Sequence, residues 1–231
     1  MTNLTEDDIE QNLIDLLKSE GYGYFHGTEL DGVRGGLDQV VIEGEFKASL
    51  QRLNPDLDEA ALADAYSQVL DLSSNDVMTN NEQFHNMLTS GVTIEVFESG
   101  QSVGKQVELV DFNNIQNNRF WVVNQFVIKE NNQSKRLDVI LFVNGLPLVV
   151  IELKSATSEK ATLERAYTQI QNYKTAIPSI FYYNALCVIS DGLDARTSSV
   201  SAPFSRFLVW KSPEKTENGL LPELQILAER M

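Results

Sequence analysis

The sequence predicts a mixed α/β fold: a mixed β-sheet flanked by helices, with an insertion after the first helix. Three observations predict it. Ile9, Leu13, Leu16 and Leu17 recur at helical spacing near the start of the chain. The middle holds a series of β-rich runs, two of them almost continuously apolar, as in a sheet covered on both faces. A second helical pattern then leads into one more apolar run, the order of a single mixed domain. The 231 residues, 42% of them hydrophobic, suffice for one large core.

The first helix is bounded by Thr5 as N-cap and Gly21 at the far end, with Glu6, Asp7 and Asp8 in its first turn. Residues 22–53 are Gly-rich and carry no clear period. Asn54-Pro55 reads as the opening of a second helix bearing Leu62, Tyr66, Val69 and Leu70. A third is expected from a capping box, Thr79-x-x-Glu82, to just before Gly91, burying Phe84, Met87 and Leu88. Strands are predicted over 92–97 and 103–110, turning at Glu98-Ser99-Gly100, and again over 120–128. The polar run 130–136 reads as a break before a strand at 137–143. Asn144-Gly145 is a hairpin signal, and 148–153 runs back. A helix follows over 158–177, stopped by Pro178, with Leu163, Ala166, Ile170 and Ile177 inward. A buried strand at 185–189 and a short strand at 207–210 complete the domain.

The longest apolar run, residues 146–151, has six residues, far short of a membrane span, and the acidic start lacks a secretory signal. One cysteine, Cys187, excludes a disulfide framework and fits a cytoplasmic location. With only His26 and His85 beside it, a Cys/His zinc cluster is excluded too. The net charge of −15 argues at first against nucleic acid, but it is unevenly spread. Residues 1–128 carry 22 acids and 6 bases, residues 129–174 carry 5 and 7, and residues 175–231 carry 6 and 5. Only the middle stretch is basic. Such a chain is expected to hold DNA weakly by itself.

That stretch also holds the most informative residues. Asp138 and Glu152 are acids inside strands of Val, Ile, Leu and Phe. A buried carboxylate needs a cation, a metal or a hydrogen-bond network. Glu152 and Lys154, two apart on a strand, share a face. Two hard oxygen ligands side by side suit Mg²⁺, which activates water and offsets phosphate charge, and Lys154 can stabilise developing negative charge. The hairpin imposes a condition. A plain two-residue turn would pair Asp138 with Ile151 and aim it away from Glu152, so an odd loop or bulge is required around residues 144–147. The competing structural reading pairs Asp138 with Arg136 and Glu152 with Lys154 at a sheet edge. Gln169 and Tyr173, one turn apart on the next helix, could contact a base or phosphate, and Arg165 and Lys174 could contact backbone.

Asp138…Glu152-Leu153-Lys154 followed by Gln169-x-x-x-Tyr173 resembles the PD-(D/E)xK nuclease superfamily, in its QxxxY branch. The runs 136–154 and 166–183, Ser190-Asp191-Gly192 and the stretch 10–24 resemble more closely the N-terminal nuclease domain of the R subunit of type I restriction–modification enzymes. The resemblance implies a restriction-endonuclease-like fold that cuts double-stranded DNA with Mg²⁺. It implies Asp138 and Glu152 as metal ligands, Lys154 as catalytic, Gln169 and Tyr173 as DNA-engaging, and Glu10 as a further acidic metal ligand. Leu137 stands where the superfamily motif has proline. The resemblance further implies specificity and methyltransferase subunits as partners, and ATP consumed by translocase domains outside this chain. On this reading residues 1–211 form the nuclease domain, with the insertion at about 31–111, and residues 212–231 begin a linker to the absent ATPase. Gly100 to Lys105 is no phosphate loop: it is one residue short between its glycines and continues into Gln106, not Ser or Thr. A stand-alone repair nuclease and an inactive docking module are the competing functions.

Overall fold

The computed structural model describes residues 5–98, 100–155 and 162–209. Helix α1 (Glu6–Ser19) starts as expected. Thr5 accepts from the Asp8 amide, and the Asp8 carboxylate accepts from the Thr5 amide in return. A short strand β1 (Gly23–His26) and a single turn α2 (Gly27–Leu30) come next, so two elements precede the insertion. The insertion itself consists of α3 (Glu43–Leu53), α4 (Glu59–Leu70), α5 (Val77–Ser90) and an antiparallel hairpin, β2 (Val92–Glu98) with β3 (Gln101–Val107). The chain then supplies β4 (Phe120–Glu130), β5 (Gln133–Val143), β6 (Leu146–Leu153), α6 (Thr162–Ala176), α7 (Ser179–Tyr182), β7 (Leu186–Ser190), β8 (Ala195–Ser198) and β9 (Leu208–Val209).

Seven strands form one mixed sheet in the order β1-β4-β5-β6-β7-β8-β9. β1 runs parallel to β4 and β6 parallel to β7, the latter through the α6 crossover; the other pairs are antiparallel. Both faces are covered, as the continuous apolar runs require. On one side Ile9, Leu13, Ile14 and Leu17 of α1 pack on Val122, Val139, Leu141, Val149, Ile151 and Leu153. On the other, α6 and the insertion share one larger core, which includes Phe46, Leu50, Phe84, Ala166, Ile170 and Tyr173.

Four expectations are corrected. The unpatterned stretch 22–53 contains β1, α2 and α3, and β1 escapes notice because its four residues pair with β4 roughly a hundred positions on. Asn54-Pro55 does not open a helix. Asn54 closes α3, and its amide group bonds Leu50 and Glu108, while Asp58 caps α4 through the Ala61 amide. The third helix starts at Val77 because Asp76 caps it, taking the Thr79 amide and hydroxyl. The polar run 130–136 is no break: Asn131 and Asn132 adopt positive φ (49° and 59°) and turn β4 directly into β5. Gly100 to Lys105 lies in the β2–β3 hairpin, in keeping with its rejection as a phosphate loop. Residues 158–161, Trp210 and the stretch 212–231 lie outside the described residues.

Candidate active site

The β5–β6 hairpin meets the condition set by the sequence. Asn144 (φ 53°) and Gly145 (φ 81°) form a tight turn with Val143 opposite Leu146 and Phe142 opposite Pro147. The register then shifts, so that Leu141 pairs with Val149 and Val139 with Ile151. Leu148 is the extra residue. The bulge thus falls one position beyond the predicted 144–147, directly after Pro147, which has no N–H to give the ladder. Counting on from Val139↔Ile151 sets Asp138 beside Glu152. There the strands part, and the Asp138 carboxylate takes the Leu153 amide at 2.8 Å.

A second irregularity lies on the other side of Asp138. β4 and β5 pair Asn124 with Val139 and Phe126 with Leu137, leaving Gln125 unpaired at φ 54°. Val139 faces the α1 side and Leu137 the α6 side, so strand alternation resets at this point. Gly27 permits the kink: a Cβ there would lie 2.6 Å from the Gln125 carbonyl. In consequence two consecutive amides reach one acid. Asn124 and Gln125 donate to the two carboxylate oxygens of Glu10 at 2.7 and 2.6 Å. Sequence reasoning missed this pair, although Asn-Gln inside an apolar strand was the available signal.

Glu152 is 1% exposed. One oxygen accepts from the Lys154 ammonium at 2.6 Å, and the other, Oε2, is buried with no partner. The same ammonium donates to the Leu153 carbonyl at 2.8 Å, and the Lys154 amide is fixed by the Ser190 carbonyl of β7. Burial, then the neighbouring Asp138, push the Glu152 carboxyl up to about 8 against the pull of Lys154. Asp138 is raised as well, chiefly by burial, with the Leu153 amide and Lys154 opposing and Glu10 and Glu6 adding to the rise. Burial is the largest single influence on the Lys154 ammonium and lowers it, but the charge and hydrogen bond of Glu152 together with the charges of Asp138 and Glu6 outweigh it, and the net shift is upward. One ammonium therefore faces two desolvated carboxylates and does not balance them.

The competing structural reading holds only in part. Glu152 does pair with Lys154, but among the described residues Arg136 forms no ion pair with Asp138. Tyr173, buried, donates to the Arg136 carbonyl at 3.1 Å, and burial and the Glu152 charge push its phenol upward while Gln169 pulls the other way. Tyr173 is thus brought to Glu152, and Gln169 to Tyr173. Glu10 is brought near Asp138, but no three acidic, His or Cys side chains converge on one cation position among the described residues. Its carboxylate accepts from the Asn124 and Gln125 side-chain amides. Arg165 is exposed on α6. Lys174 is not brought to the site: its ammonium is committed to the Val200 carbonyl and to Gln171.

A mixed sheet with flanking helices, opened at a central hairpin by one buried and one half-buried carboxylate and a lysine, defines a restriction-endonuclease-like domain. The chain belongs to the family described as type I restriction enzyme R protein N terminus, whose profile matches residues 3–206. It is 40% identical over 234 aligned residues to the type I restriction enzyme HindI endonuclease subunit of Haemophilus influenzae, covering 97% of this chain and 22% of that protein. It is 32% identical to the putative type I restriction enzyme MjaIXP endonuclease subunit of Methanocaldococcus jannaschii, over 93% of this chain and 21% of the relative. Similarity to the type I restriction enzyme EcoprrI endonuclease subunit of Escherichia coli is 29% over 96% of this chain and 67% of the relative. The chain therefore spans about a fifth of the length of the first two relatives. Among the described residues no helix is long and apolar enough to cross a membrane.

Proposed function

We propose that this chain is the DNA-cleaving domain of a type I restriction system, with Asp138, Glu152 and Lys154 at its centre. The observation that supports this most is the buried, partnerless Glu152 Oε2 beside Asp138, with a single ammonium to offset both acids. Leaving such an atom bare costs free energy unless something fills the place. A cation with oxygen preference fits: Asp138 and Glu152 would hold Mg²⁺. When bound, Mg²⁺ lowers the pKa of water and offsets the charge of the scissile phosphate.

The chain's own residues do the rest. Lys154 has three N–H donors and spends two, on Glu152 and Leu153, leaving one for a phosphate oxygen. The Leu153 amide orients Asp138, and the Ser190 carbonyl fixes the backbone from which Lys154 projects. Tyr173 borders Glu152 on the α6 side with Gln169 beside it, and the two would meet DNA there, with Arg165 further out. Asn124 and Gln125 hold the Glu10 carboxylate in place near Asp138. Residues 1–211 would act as this domain. The recognition, methylation and ATP-driven translocation that bring duplex DNA to it would come from specificity and methyltransferase subunits and from motor domains. The net charge of −15 accords with such delivery.

The test is Asp138→Ala in the assembled enzyme, with DNA cleavage and ATP hydrolysis measured together. Cleavage should be lost with ATP hydrolysis kept. Unchanged cleavage would reject the assigned site.

A further inference from the structure

Four non-glycine residues have positive φ among the described residues, and three of them, Asn131, Asn132 and Asn144, make hairpin turns that need such angles. The fourth, Gln125 (φ 54°), lies inside β4 with a ladder pair on either side, Asn124 opposite Val139 and Phe126 opposite Leu137. The left-handed angle costs a residue with a Cβ free energy that glycine would be spared, and no turn is made there. Strain of this kind persists only where the surroundings enforce it, and it gathers at functional sites. Its position is specific: the residue of β5 between Val139 and Leu137 is Asp138.

The packing enforces the kink. Gly27, directly after β1, lies so close that a Cβ would stand 2.6 Å from the Gln125 carbonyl and 2.8 Å from the Phe126 Cα. Two consecutive side chains of one strand then turn to α1, where regular alternation would send one. The Asn124 amide donates to one oxygen of Glu10 at 2.7 Å and the Gln125 amide to the other at 2.6 Å. Tyr24 donates its hydroxyl to the Asn124 Oδ1 at 3.1 Å, which leaves the Asn124 NH₂ for Glu10. The helix that carries Glu10 is itself anchored in the core by Ile9, Leu13 and Ile14. Neutral amides fix the position of a carboxylate and, unlike lysine or arginine, bring no positive charge to offset it. The Glu10 charge is among the influences that raise Asp138, so the held group acts on the site.

We propose that Gln125, with Asn124, is a positioning residue of the cleavage site: the two amides hold the Glu10 carboxylate near Asp138, and that hold strengthens the binding of a divalent cation at Asp138 and Glu152. The inference rests on the DNA-cleaving reading and its Mg²⁺ site, and it gives the kink in β4 a function. A further carboxylate held beside a dication adds to the attraction on it. Hydrogen-bond partners of the acids around a metal commonly alter its affinity by roughly ten- to a hundredfold.

The experiment is a calorimetric titration of Mg²⁺ into the DNA-free 231-residue chain. Gln125→Gly removes the amide and relieves the backbone angle, whereas Gln125→Met removes the amide and keeps both the bulk and the strain. Each should bind Mg²⁺ about tenfold or more weakly than wild type while still melting as a folded protein. Glu10→Gln should weaken binding at least as far. Adding Gln125→Gly to Glu10→Gln should then change the affinity by less than about twofold, because the amide has no carboxylate left to hold. A purely structural role for Gln125 would instead repeat the loss on that background. Wild-type affinity in both Gln125 variants, or a second loss of equal size in the double variant, would overturn the proposal and leave the cation site standing. No Mg²⁺ binding by wild type would contradict the cation site itself, and the proposal with it.

Discussion

The β5–β6 hairpin carries a buried polar cluster at each end, and the two obey opposite rules. At the turn, Asn144 is fully buried and satisfied. Its oxygen accepts from Arg52 and the Arg119 amide, and its nitrogen donates to the Leu109 carbonyl and to Asn118. Gly145 completes the joint, bonding Ile42 through its carbonyl and leaving no room for a Cβ, which would lie 2.8 Å from the Ile42 oxygen. At the open end, Glu152 keeps a bare oxygen and two acids share one ammonium. A satisfied cluster stabilises the place where the insertion meets the sheet. An unsatisfied one holds free energy in reserve for a ligand.

The sharpest way to break this contrast is at the turn. Asn144→Ala strands four partners and places alanine at positive φ, so it should destabilise the fold by about 3 kcal/mol or more in urea titrations. Gly145→Ala should cost on the order of 2 kcal/mol through its close approach to Ile42 and Phe46. A destabilisation below about 0.5 kcal/mol for either would mean that the turn does not anchor the insertion.

The open end should respond in the other direction. Because the Glu152 carboxyl is raised to about 8 in the fold from 4.5, the folded protein holds a proton that the unfolded chain has released across that interval. Stability without metal should therefore fall as pH rises from about 4.5 to about 8. Glu152→Gln should remove most of that slope in thermal melts and gain on the order of 2 kcal/mol at pH 8. A variant with wild-type pH dependence would mean that another group carries the slope. The smallest effect is expected at Gln125→Ala, about 1 kcal/mol, from one lost bond to the Glu10 carboxylate. Gln125→Gly should fall closer to wild type, because glycine relieves the φ of 54°.

The same contrast explains what the sequence reveals. Asp138 and Glu152 are conspicuous because an acid within an apolar strand has few structural excuses, and counting faces along the hairpin from sequence alone demands a bulge. Its place at Leu148 depends on where Pro147 interrupts the ladder, which the count alone does not decide. Asn144 shows its local part only. Asn-Gly announces a turn, but Arg52, Leu109 and Asn118 reach it from 92, 35 and 26 positions away. The Asn124 and Gln125 amides that hold Glu10, the kink at Gln125 and β1 are hidden for the same reason: each is set by contact between segments about a hundred residues apart. Lys174 shows the converse, a helix-surface cation by pattern that the fold turns inward to Val200.

If the open end of the hairpin is built for a divalent cation, calorimetric titration of Mg²⁺ into the DNA-free chain at pH 8 should register it. Wild type should bind, releasing protons as it does so, and both signals should vanish in Glu152→Gln and Asp138→Asn, each variant still folded. Equal Mg²⁺ binding by wild type and both variants, or none by wild type at millimolar concentrations, would contradict the assignment.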